Sequence, residues 1–276
     1  MTRVVCRQLA PRLGDLTGNQ REIVAHISEA TSAGADILVL PELATSGYVF
    51  ETSAEVDACA LTPADPLVAQ WSQAVSGRSV VVLGFAERGP DGAHFNSAAV
   101  LDATGVLAVY RKAHLWDREK LFFTPGDRRP PVVETAFGRI GVIICYDLEF
   151  PEYTRHVALA GADLIAVPTN WPAVERPEGE RPPEVLIAQA AARVNKVSIA
   201  CCDRTGTERG QEWTEGTAII DENGWLAASA GPGPGRRAEA DLDLTRSRDK
   251  TITPHNHLFT DRRTDLYPTT PPAPSP

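Results

Sequence analysis

Apolar and polar residues alternate along the first part of the chain in a way that predicts a strand, a helix and a second strand. Residues 4–8 form a short β-prone run, and residues 37–40 are continuously apolar, as expected of a strand that is buried on both faces. Between them, apolar side chains recur at helical spacing over residues 17–30. Thr17 and Gln20 form a capping-box pattern, which predicts that the helix begins there.

The same order of elements returns in the second half of the chain, with a strand predicted at residues 140–145, a helix at 151–160 and a buried strand at 164–167. The amino-acid sequence repeats as well, because GADILVLP at residues 34–41 is similar to GADLIAVP at residues 161–168. Two similar halves, each a sheet covered by helices on one face, would pack together as one αββα domain. Further predicted elements are helices at residues 66–75 and 184–195 and strands at residues 79–85, 95–101, 106–110 and 197–201.

The predicted fold class is therefore α/β, in the form of a four-layer αββα sandwich. No linker divides the chain, so we expect a single domain over residues 1–267. Residues 268–276 are rich in proline and poor in apolar side chains, which predicts a tail that is disordered in isolation.

The composition is that of an ordinary globular chain and argues against several classes of protein. The 276 residues include 27 Lys and Arg against 36 Asp and Glu, a net charge of −9 that disfavours nucleic acid and anionic membrane surfaces. No apolar run approaches the ~20 residues that span a bilayer. The five cysteines are odd in number and irregularly spaced, which favours reduced thiols and a cytoplasmic location.

Several familiar motifs are absent from the sequence, among them the G-x-S-x-G elbow, the phosphate-binding G-x-x-x-x-G-K-S/T loop, C-x-x-C and H-E-x-x-H. His255 and His257 form an H-x-H pair. A pair of histidines in a polar loop without a third ligand does not predict a metal site, and we expect no metal and no cofactor.

Three ionisable residues follow directly on predicted strands. Glu42 follows the strand at residues 37–40, Lys112 follows the strand at 106–110, and Cys145 ends the strand at 140–145. Taken singly, each could be structural, as a turn cap, a solvated charge and a small buried apolar residue. Ligands bind at the carboxyl ends of strands in α/β sheets, and an acid, a cation and a thiol together can generate and use a thiolate.

These residues lie in three blocks that resemble, in order and spacing, the signature blocks of the nitrilase superfamily, the carbon–nitrogen hydrolases. The blocks are Pro41-Glu42-Leu43 with Gly47-Tyr48 following, Arg111-Lys112-Ala113-His114-Leu115, and Cys145-Tyr146-Asp147-Leu148-Glu149-Phe150-Pro151-Glu152. The resemblance extends from the first strand to residues 261–267. It implies an αββα sandwich of the carbon–nitrogen hydrolase type that pairs into homodimers or larger homo-oligomers.

The resemblance also implies roles for individual residues. Glu42 would be the general base, Lys112 the cation beside the oxyanion and Cys145 the nucleophile. Glu119 matches the family's second glutamate, which supports the triad and positions the substrate. The backbone N–H of Tyr146 would help Lys112 to hold the oxyanion.

The expected reaction is hydrolysis of a small aliphatic carboxamide to a carboxylic acid and ammonia through a thioester on Cys145. The block that follows Cys145 is similar to those of the amidase branches, particularly those acting on aliphatic or ω-amino amides, rather than to those of nitrile-cleaving members. Cleavage of nitriles or N-carbamoyl amines by the same triad, acyl transfer, and a catalytically silent partner-binding module remain open alternatives.

Loops near the strand ends suggest where the substrate lies. Asn170 and Trp171 follow the strand at residues 164–167 and are expected to contact it. Six glutamates would weakly favour a cationic amide, although interleaved arginines oppose this. They are Glu175, Glu178, Glu180, Glu208, Glu212 and Glu215. We expect the dimer surface on the helix after Cys145, with Tyr153, His156, Val157 and Leu159, and on residues 251–267.

Overall fold

Two mixed β-sheets of six strands each form the centre of the computed structural model, which describes residues 1–233 and 235–267. The predicted proline-rich tail, residues 268–276, lies outside the described residues. The α-helices of the described part are α1 (Leu16–Ser32), α2 (Ser53–Cys59), α3 (Pro66–Gln73), α4 (Pro151–Leu159) and α5 (Pro183–Asn195). Short 3-10 helices span Asp117–Leu121, Cys145–Glu149 and Leu244–Arg248.

The strands follow one another along the chain as β1 (Thr2–Arg7), β2 (Ile37–Val39), β3 (Val80–Arg88), β4 (His94–Asp102), β5 (Gly105–Arg111), β6 (Val132–Thr135), β7 (Gly138–Val142), β8 (Leu164–Pro168), β9 (Ser198–Cys202), β10 (Thr207–Glu208), β11 (Gln211–Glu212), β12 (Ala218–Ile220), β13 (Leu226–Ser229), β14 (Arg237–Leu242), β15 (Thr251–Thr253) and β16 (Asn256–His257). The pairs β10–β11 and β15–β16 form small hairpins outside the two large sheets.

The two large sheets have the same succession of strand directions. The first has the order β14-β1-β2-β3-β4-β5, in which β1, β2 and β3 are parallel and the other neighbours antiparallel. The second has the order β6-β7-β8-β9-β12-β13, in which β7, β8 and β9 are parallel and the other neighbours antiparallel. This shared topology matches the repeat seen in the letters of residues 34–41 and 161–168.

Alternation along β2 explains how the layers stack. Ile37 and Val39 belong to a buried cluster that also contains Ile165 and Ile199 of the second sheet. Leu38 and Leu40 belong to a different buried cluster on the opposite face, together with side chains of α1 and α3. The sheets therefore pack against each other, with helices outside, which confirms the predicted αββα sandwich.

The start of α1 differs from the prediction. Asp15 caps this helix and accepts a hydrogen bond from the Gly18 N–H at 2.9 Å, so the helix begins two residues before the predicted capping box. The Gln20 side chain instead joins α1 to α3, because it donates to the Leu67 carbonyl and accepts from the Trp71 indole at 2.7 Å. Within the described residues, no helix has the length and apolar character needed to cross a bilayer.

Candidate active site

The structure brings together the residues that were predicted at strand ends. Glu42 follows β2 and Lys112 follows β5 in the first sheet, whereas Cys145 follows β7 in the second. The Lys112 ammonium lies 2.7 Å from Glu42 Oε1 and 2.7 Å from Glu119 Oε1. All four side chains are buried, and the charges of Glu42 and Lys112 both act on the Cys145 thiol.

Cys145 has a left-handed backbone conformation, with φ of +47°. This conformation costs a residue other than glycine ~1–3 kcal/mol and persists only where the surroundings impose it. Here Asp147 imposes it, because its carboxylate accepts from the Ile144 N–H at 3.0 Å while its own N–H donates to the Ile144 carbonyl. The turn opens the 3-10 helix Cys145–Glu149.

Asp147 also joins the cysteine turn to the strand that carries the lysine. Its carboxylate accepts from the Tyr110 hydroxyl at 2.7 Å and from the His114 N–H at 3.0 Å, and His114 Nδ1 lies 2.7 Å away. Tyr110 and His114 flank Lys112 along the chain. Asp147 therefore fixes the turn at Cys145 against the chain segment that carries Lys112. The sequence did not indicate this role.

Glu42 is held on one oxygen and open on the other. Oε1 accepts from Lys112 and from the Asn96 amide, each at 2.7 Å, whereas Oε2 has no hydrogen-bond partner among the residues that the structure describes. The backbone of β3 passes so close that a Cβ at Gly84 would stand 2.5 Å from the Glu42 Cα. Only glycine fits there, so Gly84 sets the depth at which Glu42 is buried.

Burial and neighbouring charges determine the protonation of this cluster. Burial raises the pKa of Glu42 to about 7, against the pull of Lys112. Burial would lower the pKa of Lys112, but Glu119 and Glu42 together outweigh it, and the pKa lies well above its ordinary value. Burial and Glu42 raise the pKa of the Cys145 thiol, so the free site holds a thiol beside a carboxylate that ionises near neutrality.

Glu119 completes the cluster from the 3-10 helix Asp117–Leu121. Besides Lys112, its Oε1 accepts from the Tyr48 hydroxyl at 2.5 Å, and its Oε2 accepts from the Trp116 N–H at 3.3 Å. The family resemblance had identified Glu119. The contact with Tyr48 was not predicted, although Tyr48 stands in one of the three quoted blocks.

A second buried ion pair holds the Tyr48 loop. Glu208 accepts from the backbone N–H groups of Tyr48 and Val49 and from Arg204 Nη1, which lies 2.8 Å from Glu208 Oε2. Arg204 is itself buried, donates to the Pro11 carbonyl at 2.9 Å and lies 4.4 Å from the Trp213 ring centroid. The prediction that Glu208 frames the substrate is wrong, because both oxygens of its carboxylate accept hydrogen bonds from within the protein.

Asn170 and Trp171 have different surroundings. The Asn170 amide donates to the Glu42 carbonyl at 3.0 Å. The Trp171 ring is 2% exposed and belongs to the same buried cluster as Cys145, and its contact with the substrate stays a prediction. Asp203 fixes this segment by accepting from the Trp171 N–H, and burial raises the pKa of Asp203 to about 7.

A cavity of about 120 Å³ is lined in part by Glu119. We call it the aromatic pocket after the six aromatic side chains that line it: Tyr48, Phe50, Trp116, Phe122, Phe123 and Trp213. None of the six glutamates expected to frame the substrate is part of the lining in the described residues. That expectation failed because the loop acids point to solvent or pair internally, as Glu208 does with Arg204.

The two histidines of the H-x-H pair lie in the β15–β16 hairpin. His257 Nδ1 accepts from the N–H groups of Phe259 and Thr260 at 3.2 Å, and His255 is exposed. His257 therefore uses its imidazole nitrogen to stabilise the turn that follows the hairpin.

Comparisons with known proteins agree with one another over most of the chain. The family model described as Carbon-nitrogen hydrolase matches residues 3–250. A protein named nitrilase from Pyrococcus abyssi is 35% identical over 269 residues, covering 97% of this chain and 99% of that protein. A protein named (R)-stereoselective amidase from a Pseudomonas species is 36% identical over 227 residues, covering 81% of this chain and 79% of that protein.

Solved structures give the same picture. An amidase from Nesterenkonia sp. AN1 is similar with a TM-score of 0.77 and 27% identity, covering 96% of this chain and 98% of that one. A cysteine-to-alanine mutant of that amidase in complex with butyramide is similar with a TM-score of 0.76 and 27% identity, covering 96% of this chain and 95% of that one.

Proposed function

The chain belongs to the carbon–nitrogen hydrolase family, and from this premise we propose that it hydrolyses small linear carboxamides to carboxylic acids and ammonia. The observation that carries the proposal is the buried cluster in which Lys112 bridges Glu42 and Glu119 beside the Cys145 thiol. The cluster joins a nucleophile, a base and a fixed positive charge, as acyl transfer to a thiol requires.

The reaction begins with attack of Cys145 on the carboxamide carbon. Glu42 takes the thiol proton on Oε2, the oxygen that has no partner among the described residues. A carboxylate with a pKa of about 7 is ionised in half of the molecules at neutrality and still basic enough to accept this proton. Because the thiol pKa is raised, deprotonation accompanies attack rather than preceding it.

The tetrahedral oxyanion forms next to the Lys112 ammonium and the backbone N–H of Tyr146. Lys112 supplies a permanent positive charge, because Glu119 and Glu42 hold its pKa high. A single donor of this kind contributes about 3 kcal/mol to the stability of such an oxyanion. Glu119 acts as a positioning residue that keeps the ammonium in place.

In the second half of the reaction, Glu42 acts first as an acid and then again as a base. Glu42 returns its proton to the departing nitrogen, ammonia leaves, and the acyl group remains on Cys145 as a thioester. A water then gives a proton to Glu42 and attacks the thioester carbon. Collapse of the second tetrahedral intermediate releases the carboxylic acid, and Glu42 returns its proton to the departing sulfur, which restores the thiol.

Substitution of the nucleophile tests this proposal. We expect Cys145→Ala to abolish ammonia release from acetamide and butyramide, with unchanged thermal unfolding. Cys59→Ala, which removes another buried thiol, is the matched control and should retain full turnover. Retained turnover in Cys145→Ala would overturn the mechanism, and faster cleavage of the matching nitriles than of the amides would overturn the choice of substrate.

We also propose that the protein forms a homodimer and acts in the reducing cytoplasm. All five cysteines, which lie within the described residues, carry free thiols, as that compartment favours. On α4, Leu159 is 41% exposed, but Val157 is buried in the core and is therefore not part of a docking surface. Light scattering measures the assembly, and a monomer at micromolar concentration would contradict it.

A further inference from the structure

The aromatic pocket begins next to the reacting groups. Tyr48 and Glu119 in its lining contact each other at 2.5 Å, and Glu119 contacts Lys112. On the other side, the Trp116 ring packs edge to face on Tyr146, which directly follows Cys145, with 4.8 Å between the ring centroids. Glu119 and Trp116 therefore connect the lining of the aromatic pocket to the residues around Cys145.

Few of the charges around the aromatic pocket are left without a partner. Its charged lining residues are Asp117, Arg118 and Glu119. Asp117 and Arg118 are adjacent and of opposite sign, and Glu119 shares the Lys112 ammonium with Glu42, each at 2.7 Å. Among the residues that the structure describes, the only excess charge is therefore at most one negative charge in the buried Glu42–Lys112–Glu119 cluster, and the ring surfaces carry no carboxylate that would pair with a cationic substrate.

Two of the aromatic faces already have cations. The Arg204 guanidinium lies 4.4 Å from the Trp213 ring centroid, and the Arg118 guanidinium lies 5.9 Å from the Phe122 ring centroid. Aromatic rings attract cations through their faces, and an incoming ammonium would compete with these arginines and be repelled by them. The remaining ring surface is suited to uncharged apolar groups.

We propose that the acyl part of the substrate carries an uncharged apolar group, best an aromatic ring, which the aromatic pocket binds. The inference rests on the proposed amide hydrolysis and specifies its substrate class. It replaces the ω-amino amides that the sequence favoured with arylalkyl and longer alkyl amides.

Two matched pairs of substrates test the charge and the apolar group separately. Hexanamide and 5-aminopentanamide have the same chain length and differ in a terminal methyl against an ammonium. We expect kcat/KM to be at least tenfold higher for hexanamide. We also expect 3-phenylpropanamide to exceed propanamide by at least tenfold. Equal values within either pair, or a preference for the amine, would overturn the inference.

Variants of two tryptophans locate the preference in the structure. Trp116 lines the pocket and is 40% exposed, whereas Trp225 is 71% exposed on the β12–β13 turn and outside the pocket lining. We expect Trp116→Ala to lower the ratio of kcat/KM for 3-phenylpropanamide over propanamide by at least fivefold, Trp116→Leu to lower it less, and Trp225→Ala to leave it unchanged. An unchanged ratio in folded Trp116→Ala would overturn the assignment.

Failure of this inference can be told from failure of the proposed function. If no amide in the panel releases ammonia, the proposed function fails. If short amides are hydrolysed but the phenyl group gives no advantage, only the inference fails. Calorimetric titration of Cys145→Ala with 3-phenylpropanamide and propanamide measures the preference without turnover. We expect tighter binding of the phenyl compound, and equal affinities would count against the pocket.

Discussion

Two buried glutamates in this protein differ in how their carboxylate oxygens are hydrogen bonded. Glu42 and Glu208 are both buried, and each lies within hydrogen-bonding distance of a buried cation, Lys112 at 2.7 Å and Arg204 at 2.8 Å. Glu208 uses both oxygens, one on two backbone N–H groups and one on Arg204. Glu42 uses Oε1 twice and leaves Oε2 without a partner among the described residues.

The difference shows what distinguishes a reactive buried ion pair from a structural one. A carboxylate that accepts hydrogen bonds on both oxygens ties segments of chain together. A carboxylate with an open oxygen in a dry site keeps a place for a proton, and burial brings its pKa to about 7. Geometry, rather than burial or charge alone, therefore separates the two roles.

The largest effect should come from Glu42→Gln. Glutamine can still accept from Lys112 and Asn96 through its carbonyl oxygen, but it cannot take a proton at the open position. General-base catalysis contributes ~10²–10⁴-fold, so we expect kcat/KM for butyramide to fall about 10³-fold. The thermal midpoint should change little, because Lys112 keeps Glu119 as its counter-charge. If Glu42→Gln kept more than a tenth of the activity, Glu42 would not be the general base, and its role would not differ from that of Glu208.

Glu208→Gln should instead act on stability. The change leaves Arg204 buried without its counter-charge, and breaking a buried pair on one side costs ~3–5 kcal/mol. We expect urea unfolding to report a loss of this size, and the folded fraction to retain activity within about tenfold. Glu212→Gln, an exposed acid on the adjacent strand β11, is the control and should change neither. Full stability with lost turnover would place Glu208 in the reaction.

The pH dependence of the reaction should follow the ionisation of Glu42. Its pKa is raised to about 7, so below that pH the carboxyl is protonated and cannot act as a base. We expect kcat/KM to fall about tenfold per pH unit on the acid side of pH 7. Activity that stayed flat to pH 5 would contradict this assignment.

Asp203 is a second carboxyl group that would give the same pH dependence, because burial also raises its pKa to about 7. The rate of Cys145 alkylation by iodoacetamide, which requires no turnover, separates the two carboxyls. We expect the inflection near pH 7 in the unaltered protein to disappear in Glu42→Gln. If the inflection persists in Glu42→Gln, another group such as Asp203 controls the thiol.

Much of the site was predictable from local sequence, because it is built from residues that follow strands. Glu42, Lys112 and Cys145 each stand at the end of an apolar run, and the carboxyl ends of strands are where ligands bind in α/β sheets. The αββα layers could likewise be read from continuous apolar runs and from the repeated eight-residue segment. Glu119 required the family resemblance, since nothing in its local pattern separates it from a surface acid.

The supporting contacts could not be predicted, because they join residues far apart in the chain. Glu208 binds the backbone N–H of Tyr48 across 160 positions, and such a contact leaves no periodic trace in either segment. Asp147 lies in the block that begins at Cys145, but its hydrogen bonds to Tyr110 and His114 depend on how the two sheets pack together. The start of α1 was misplaced because Asp15 and Thr17 are both competent caps and only packing decides between them.

Strand β14 gives the architecture a further property. It belongs to the second half of the chain, yet it pairs with β1 over six residues and so forms the edge of the first sheet. The two halves are therefore interlocked by a donated strand. A chain cut between β5 and β6 would leave β1 as an open edge that only the other fragment can cover, and Glu42 and Cys145 would lie on separate pieces. Recovered activity would then report reassembly by strand complementation.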